Sequence, residues 1–384
     1  MRQFRIGILG CGYISNTYIS DIQNFYKDLC IVACADIVPE AARAQAEKYG
    51  IPVFCTPDEL LSDDSLDIIV NLTPPELHPE VNRRIIEAGR HLFCEKPFAP
   101  TLKDAREILD LAQEKGVMVG CAPDTFLSSG LQSMRFYLDA GIIGKPFFAA
   151  ANMTNFGVET WHPNPFPYYT DHAGPMFDMA PYYLSAIISL LGPVESVASF
   201  SASPSPVRHV YTGPRAGCTI ENRIPTHFSS ILRLRSSVIV SMNMSFDIYR
   251  SDLPALEICG SDGTLSYPDP NYGGGTPKVY RKEQYTGTVY QQTPEAEARR
   301  ERFYELPELY ARVKDYSRGL GVLDLADAID TGRKNRTGRD LILHITEVIE
   351  AVRASAAEGG FRRIETTCER PDPIPPGVQA DRFC

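Results

Sequence analysis

Residues 4–36, FRIGILGCGYISNTYISDIQNFYKDLCIVACAD, limit what this chain can fold into more than any other stretch. Phe4 to Leu9 is a short apolar run that ends in Gly10-Cys11-Gly12 and then Tyr13-Ile14-Ser15. A helix-period segment follows, with Ile14, Tyr18, Ile22 and Phe25 on one face. Ile31 to Ala35 is a second apolar run, and it closes on Asp36. Strand, glycine turn, helix, strand and acid is the order of a dinucleotide-binding βαβ unit. Gly10 permits the tight turn, and Gly12 lets a pyrophosphate reach the backbone at Tyr13 and Ile14. The helix start there supplies N–H groups and a partial positive charge. Asp36, 21 residues after Ser15, is placed to accept hydrogen bonds from an adenosine ribose. Ser15 stands where the fingerprint has its third glycine, and it is small enough for close helix–strand packing. The competing reading is a doubly wound domain that has lost its ligand, but nothing at the turn is bulky enough to block a phosphate.

The alternation continues to residue 122. Apolar strands at Val53-Phe54, Ile68 to Leu72, His91 to Cys94 and Val117 to Cys121 alternate with amphipathic helices. The helix Thr101 to Lys115 has Thr101 at its cap and Gly116 after its end. Strands this apolar form a parallel sheet covered on both faces. The fold class read here is α/β: an N-terminal Rossmann-type doubly wound domain over 1–122. After Pro123 the texture becomes α+β, with a mostly antiparallel open sheet over 123–384. That part should contain one helix from Met176 to Leu191 and strands at Val194 to Ser203, His227 to Arg235, Val238 to Phe246 and Leu256 to Tyr267. Ser236-Ser237 suits a hairpin. Helices are expected at Pro307 to Arg318 and Arg339 to Ala354, before an irregular proline-rich tail from Arg370.

At 384 residues the chain can bury two cores, and its net charge of −10 comes without any basic run. Nucleic acid and anionic membrane surfaces are therefore poor partners, and no apolar stretch has the length to span a bilayer. Met1-Arg2-Gln3 leads straight into the first strand, with no room for a signal peptide. The ten cysteines form no C-x-x-C and sit mostly in apolar runs. They read as reduced, buried thiols of a cytoplasmic, metal-free protein.

In an open parallel sheet, ligands bind beyond the carboxyl ends of the strands. Thr73-Pro74-Pro75 and Glu95-Lys96-Pro97 fall there. Lys96 is either a partly desolvated lysine suited to proton exchange or a plain loop lysine. On the helix after the aromatic loop ETWHPNPFPYYTDHAGP (159–175), Asp178 and Tyr182 are four apart and project together from its start. Pro181 must lie in a first turn. Asp178 has an N-cap reading beside a catalytic one, and Tyr182 has a core-aromatic reading. Phe177, Leu184, Ile188 and Leu191 mark that helix's buried stripe. Trp161 and His162 in the loop are either substrate contacts or anchors, an indole face being suited to a sugar ring.

The pieces GILGCGYIS, Asp36, NLTPPELH (71–78), EKP (95–97), GIIGKPFF (141–148) and GPMFDMAPYYL (174–184) together resemble the glucose–fructose oxidoreductase / inositol dehydrogenase / MocA family. The resemblance spans almost the whole chain. It implies an NAD-dependent oxidoreductase acting on a sugar, polyol or glycoside, with NADP less favoured. It implies a cofactor bordered by Gly10, Gly12, Tyr13, Ile14, Asp36, Thr73, Pro74, His78, Glu95 and Lys96. Lys96 and Tyr182 would handle the substrate's hydroxyl proton, with Asp178 orienting them and Trp161 and His162 touching substrate. Many members have histidine where this chain has Tyr182, and others have tyrosine. Some relatives use NAD transiently to cleave a glycosidic bond and some are NAD-sensing regulators. A homodimer or homotetramer is expected.

Overall fold

A computed structural model describes residues 2–286, 291–310 and 316–375. Within them the chain divides into two compact units. The first takes the residues up to Ser128, then Tyr310–Glu350 and those from Thr366 onward; the second takes Ser129–Leu309 and Ala351–Glu365.

In the first unit six strands run parallel: β1 (Phe4–Leu9), β2 (Leu29–Ala35), β3 (Val53–Cys55), β4 (Ile68–Asn71), β5 (His91–Cys94) and β6 (Val119–Cys121). Their order is β3-β2-β1-β4-β5-β6, so the chain reverses direction across the sheet between β1 and β4. That reversal opens a crevice at the strands' carboxyl ends. Helices α1 (Ser15–Phe25), α2 (Pro39–Tyr49), α3 (Pro57–Ser62), α4 (His78–Glu87) and α5 (Leu102–Lys115) make the connections. Thr101 caps α5 by accepting from the Asp104 amide, and Gly116 ends it with a φ of 67°. The short α3, absent from the sequence reading, is set by a capping box between Thr56 and Glu59.

This unit's core extends past residue 122. Ile342 and Leu343, from the helix Arg339–Glu358, join the same apolar cluster as Leu92, Val119 and Leu109. A helix at Leu320–Thr331 also belongs here, whereas the sequence pointed to Pro307–Arg318. Of that stretch 311–315 lie outside the described residues, and the described remainder holds no helix. The actual helix is buried from Leu320 through Ala326. A helix covered on all sides lacks the polar face that periodicity needs. The tail from Arg370 is irregular through residue 375, as expected, with Arg336 donating to the Asp372 and Pro373 carbonyls.

The second unit begins with α6 (Ser129–Asp139), β7 (Pro146–Thr154), α7 (Gly174–Asp178), α8 (Ala180–Leu191) and β8 (Val194–Ala202). A small hairpin of β9 (Val207–His209) and β10 (Thr219–Glu221) follows, then β11 (His227–Leu234), β12 (Ile239–Ser245), β13 (Leu256–Gly260) and β14 (Gly263–Tyr267). β15 (Lys278–Arg281), β16 (Tyr304–Glu305) and β17 (Phe361–Arg363) complete a sheet ordered β16-β15-β14-β13-β7-β12-β11-β8-β17. All its pairs are antiparallel except β7 with β12. The hairpin at Ser236-Ser237 is present, Ser237 taking a φ of 69°. Leu256–Tyr267 is two strands turning at Ser261-Asp262 rather than one.

The helix read as Met176–Leu191 is two helices with a break at Met179. Pro181 has no N–H to return to Phe177, so the first helix cannot continue through it. Pro181 accordingly sits in the first turn of α8. Every residue of α8 is buried, so no separate buried stripe exists.

Candidate functional site

The first unit gathers its candidates beyond β1, β2, β4 and β5. Gly10 has a φ of 100°, and a Cβ there would stand 2.7 Å from the Leu72 carbonyl group. No larger residue fits where β1 and β4 part. A Cβ on Gly12, by contrast, would meet nothing within 4 Å, and α1 starts without a side-chain cap. Open space over an uncapped helix start fits a pyrophosphate. Ser15 is buried, and its hydroxyl donates back to the Gly12 carbonyl at 2.6 Å, so the serine braces the turn. Tyr13 is 70% exposed on the rim, with Ile14 partly covered behind it.

Asp36 accepts the Cys11 amide on one oxygen (2.7 Å) and the Val38 amide on the other (2.9 Å). Each oxygen keeps a lone pair for a ribose hydroxyl. Arg43, the nearest basic residue after Asp36 in sequence, lies over the Phe54 ring at 5.3 Å.

Beyond β4, Thr73 donates its amide (3.1 Å) and hydroxyl (2.7 Å) to Asn71 Oδ1, and Pro74 is exposed. Asn71 in turn donates to Asn82 Oδ1 at 2.8 Å, and Asn82 donates to the Phe98 carbonyl at 3.2 Å. Beyond β5, the buried Glu95 carboxylate takes the Tyr18 hydroxyl on Oε1 and the Lys96 amide on Oε2, both at 2.9 Å. Burial first, and then the Glu95 charge, push the Tyr18 phenol well above its usual range, so it remains a donor. Lys96 is half-buried and precedes a cis bond to Pro97. His78, expected against the cofactor, is instead fully buried, its ring nitrogens facing the Pro97 carbonyl (2.6 Å) and the Thr73 carbonyl (2.9 Å). Lys96 is thus flanked by pinned neighbours on both sides.

In the second unit Asp178 ends α7 and is partly exposed, while Tyr182 is buried in the first turn of α8. They therefore do not share one helix face. His162 feels the Asp178 charge, although burial dominates and holds the imidazole below its ordinary range. The Asn164 amide donates to His162 Nδ1 at 3.1 Å, which suits a neutral ring with its hydrogen on Nε2. Tyr168 meets the ring edge-on, with ring centroids 5.0 Å apart, and Trp161 also packs against it edge-on at 5.2 Å. Trp161 is 58% exposed, an indole available to a ligand.

A buried charge cluster underlies this loop. Arg208 donates to Glu159 Oε1 (2.8 Å), to Asp247 Oδ1 and to the Phe246 carbonyl (2.6 Å). Tyr169 donates to the other Glu159 oxygen. A Cβ on Gly157 would stand 2.3 Å from Glu159 and 2.5 Å from Arg208, so the chain passes there only as glycine. Sequence reasoning missed Tyr168, Glu159 and Arg208. Their only signal was the aromatic density of the loop, because Arg208 reaches Glu159 from 49 residues away.

Two family models match the chain: an oxidoreductase family with an NAD-binding Rossmann fold over residues 4–122, and the GFO/IDH/MocA C-terminal domain over residues 131–266. The chain belongs to the GFO/IDH/MocA oxidoreductase family. Among its relatives is the D-glucoside 3-dehydrogenase of Escherichia coli (strain K12), 29% identical over 49% of this chain and 54% of that protein. The inositol 2-dehydrogenase of Salmonella typhimurium is 28% identical over 37% of this chain and 43% of its own length. The chain thus spans about half the length of the curated relatives it matches. The GFO/IDH/MocA fold is shared with a solved levoglucosan dehydrogenase in complex with NADH. That structure has a TM-score of 0.76 at 16% identity, covering 95% of this chain and 100% of the other. Among the described residues, no helix is long and apolar enough to cross a membrane.

Proposed function

We propose that the chain catalyses hydride transfer between NAD(H) and a secondary hydroxyl of a sugar, polyol or glycoside. The observation that carries this is Lys96 at the carboxyl end of β5. Tyr18, Glu95 and His78 pin its backbone, in the same unit as the open space over Gly12. The names of the relatives, a glucoside dehydrogenase and an inositol dehydrogenase, support the substrate class. Bound nicotinamide supplies the hydride chemistry, and the protein's part is positioning and proton transfer. Lys96 holds the reacting hydroxyl and exchanges its proton. Tyr182 takes part in the same proton transfer, with Asp178 as its orienting charge, and Trp161 and His162 hold the substrate. Asp36 disfavours a 2′-phosphate, and Arg43 is occupied over Phe54, so NAD is preferred to NADP.

The exposed Phe200, Ile231 and Phe361 lie on one face of paired strands β8, β11 and β17, which favours a homodimer or homotetramer. The nine described cysteines are all free thiols, in keeping with a reducing, cytoplasmic setting.

Absorbance at the NADH band, followed with NAD and a panel of sugars, inositols and glycosides, tests the reading. NADH should accumulate with at least one alcohol. Sugar released from a glycoside without NADH accumulation would replace the reading with redox-neutral cleavage. NAD binding with neither outcome would point to a regulator.

A further inference from the structure

His78 presents a problem of hydrogen-bond arithmetic. Its Nδ1 lies 2.6 Å from the Pro97 carbonyl oxygen and its Nε2 lies 2.9 Å from the Thr73 carbonyl oxygen. Carbonyl oxygens only accept. A neutral imidazole has a single N–H, so either tautomer would press a lone pair against one of the two oxygens. The ring is fully buried, so water cannot serve the mismatched nitrogen. Leaving a buried polar pair unmade is costly, because neither group regains the partner it had in water.

We propose that His78 is held as a doubly protonated imidazolium that straps the Thr73 loop to Pro97 and so positions Lys96. The strap closes the gap between the ends of β4 and β5, where the backbone ladder has stopped. Its partner bonds are already built: Asn71 holds Thr73, Asn82 holds Phe98 and Glu95 holds the Lys96 amide. With Pro97 tethered as well, three consecutive residues from Lys96 to Phe98 are each fixed by a buried side chain.

The groups that face the ring favour the cation over the opposing effect of burial. Burial pulls the imidazole down, but the Cys94 sulfur and the two carbonyls raise it, with a net shift upward. Burial pushes the Cys94 thiol up, yet Cys121, His78 and Asn82 bring it below its usual range. Cys94 lies on β5 and Cys121 opposite it on β6; Glu95 and Lys96 are the other ionisable groups on the segment that His78 tethers. His78 is a positioning residue here, since it reaches the reacting groups only through Lys96.

This rests on the reading of Lys96 given above, so the test separates the two. Histidine ring nitrogens are labelled with ¹⁵N in the full-length protein and their resonances followed from pH 6 to 9. One of the seven histidines should keep both ring N–H groups at pH 8, where ordinary imidazoles are neutral. That signal should vanish in His78→Gln; if this variant does not fold, Cys94→Ser assigns the signal by shifting it. A His78 signal with one unprotonated nitrogen at pH 8 overturns the strap. In folded His78→Gln, kcat should fall about tenfold or more through displacement of Lys96, while the circular dichroism of the fold is kept. A folded variant with normal kcat also overturns it. If His78 is doubly protonated and Lys96→Ala keeps full turnover, the catalytic reading of Lys96 fails while the protonation stands.

Discussion

The Tyr18 hydroxyl, from the first turn of α1, donates to Glu95 Oε1 just past the end of β5 across a distance of 2.9 Å, although the two are 77 residues apart in sequence. The other Glu95 oxygen holds the Lys96 amide. The helix that opens the cofactor turn is therefore connected by two hydrogen bonds to the residue proposed to move the proton. In Tyr18→Phe the ring and its packing stay, but Glu95 Oε1 is left buried without its donor. Unfolding free energy should fall by about 1–3 kcal/mol. kcat should drop with little change in NAD affinity. Denaturant titration and steady-state kinetics check both.

Cofactor choice is set at Asp36. Each of its oxygens accepts one backbone amide, from Cys11 and from Val38, and keeps a lone pair for a ribose hydroxyl. NAD should bind at least tenfold more tightly than NADP, about 1.4 kcal/mol. Asp36→Ser should narrow that ratio by weakening NAD and relieving the repulsion of a 2′-phosphate. Fluorescence titration with both cofactors measures it, and equal dissociation constants for the parent protein would count against the assignment.

Tyr182→Phe removes only a hydroxyl from a ring already packed in the first turn of α8. The fold and cofactor affinity should be unchanged, kcat should fall by about a hundredfold, and one limb of the pH–rate profile should change. Tyr182→His should keep more activity than the phenylalanine variant, since an imidazole also carries a proton at neutral pH. Equal activity in the two would make the tyrosine a packing residue.

Arg208 stands between two carboxylates, the buried Glu159 and the partly buried Asp247, and is itself buried. Arg208→Ala leaves both acids without their cation, and breaking such a cluster typically costs about 3–5 kcal/mol. Since Glu159 and Tyr169 belong to the loop that carries Trp161 and His162, KM for substrate should rise as well. Thermal denaturation and kinetics check the two effects.

The sequence made the βαβ opening legible because each of its parts has one physical cause: Gly10 fits where a Cβ would strike Leu72, and Asp36 ends its strand. The strand ends at Thr73 and Lys96 were legible for the same reason, as polar groups closing apolar runs. The break at Met179 was only half legible. Pro181 signalled a first turn, but the apolar residues before it read as one helix, which wrongly put Asp178 and Tyr182 on one face. In the sequence Tyr18 is part of a helix's apolar face, and nothing local shows that its hydroxyl meets Glu95. The resemblance implies His78 at the cofactor, but α4 turns it inward against Pro97, where it is buried. Contacts across 50 or more residues leave no periodic trace.

The most direct test of the account is Lys96→Ala, assayed by stopped-flow NADH formation on the best alcohol of the panel, with NAD affinity measured alongside. The account predicts that kcat falls by about a hundredfold or more while the NAD dissociation constant stays within about threefold. Near-normal turnover, or a loss explained wholly by weaker NAD binding, would contradict it.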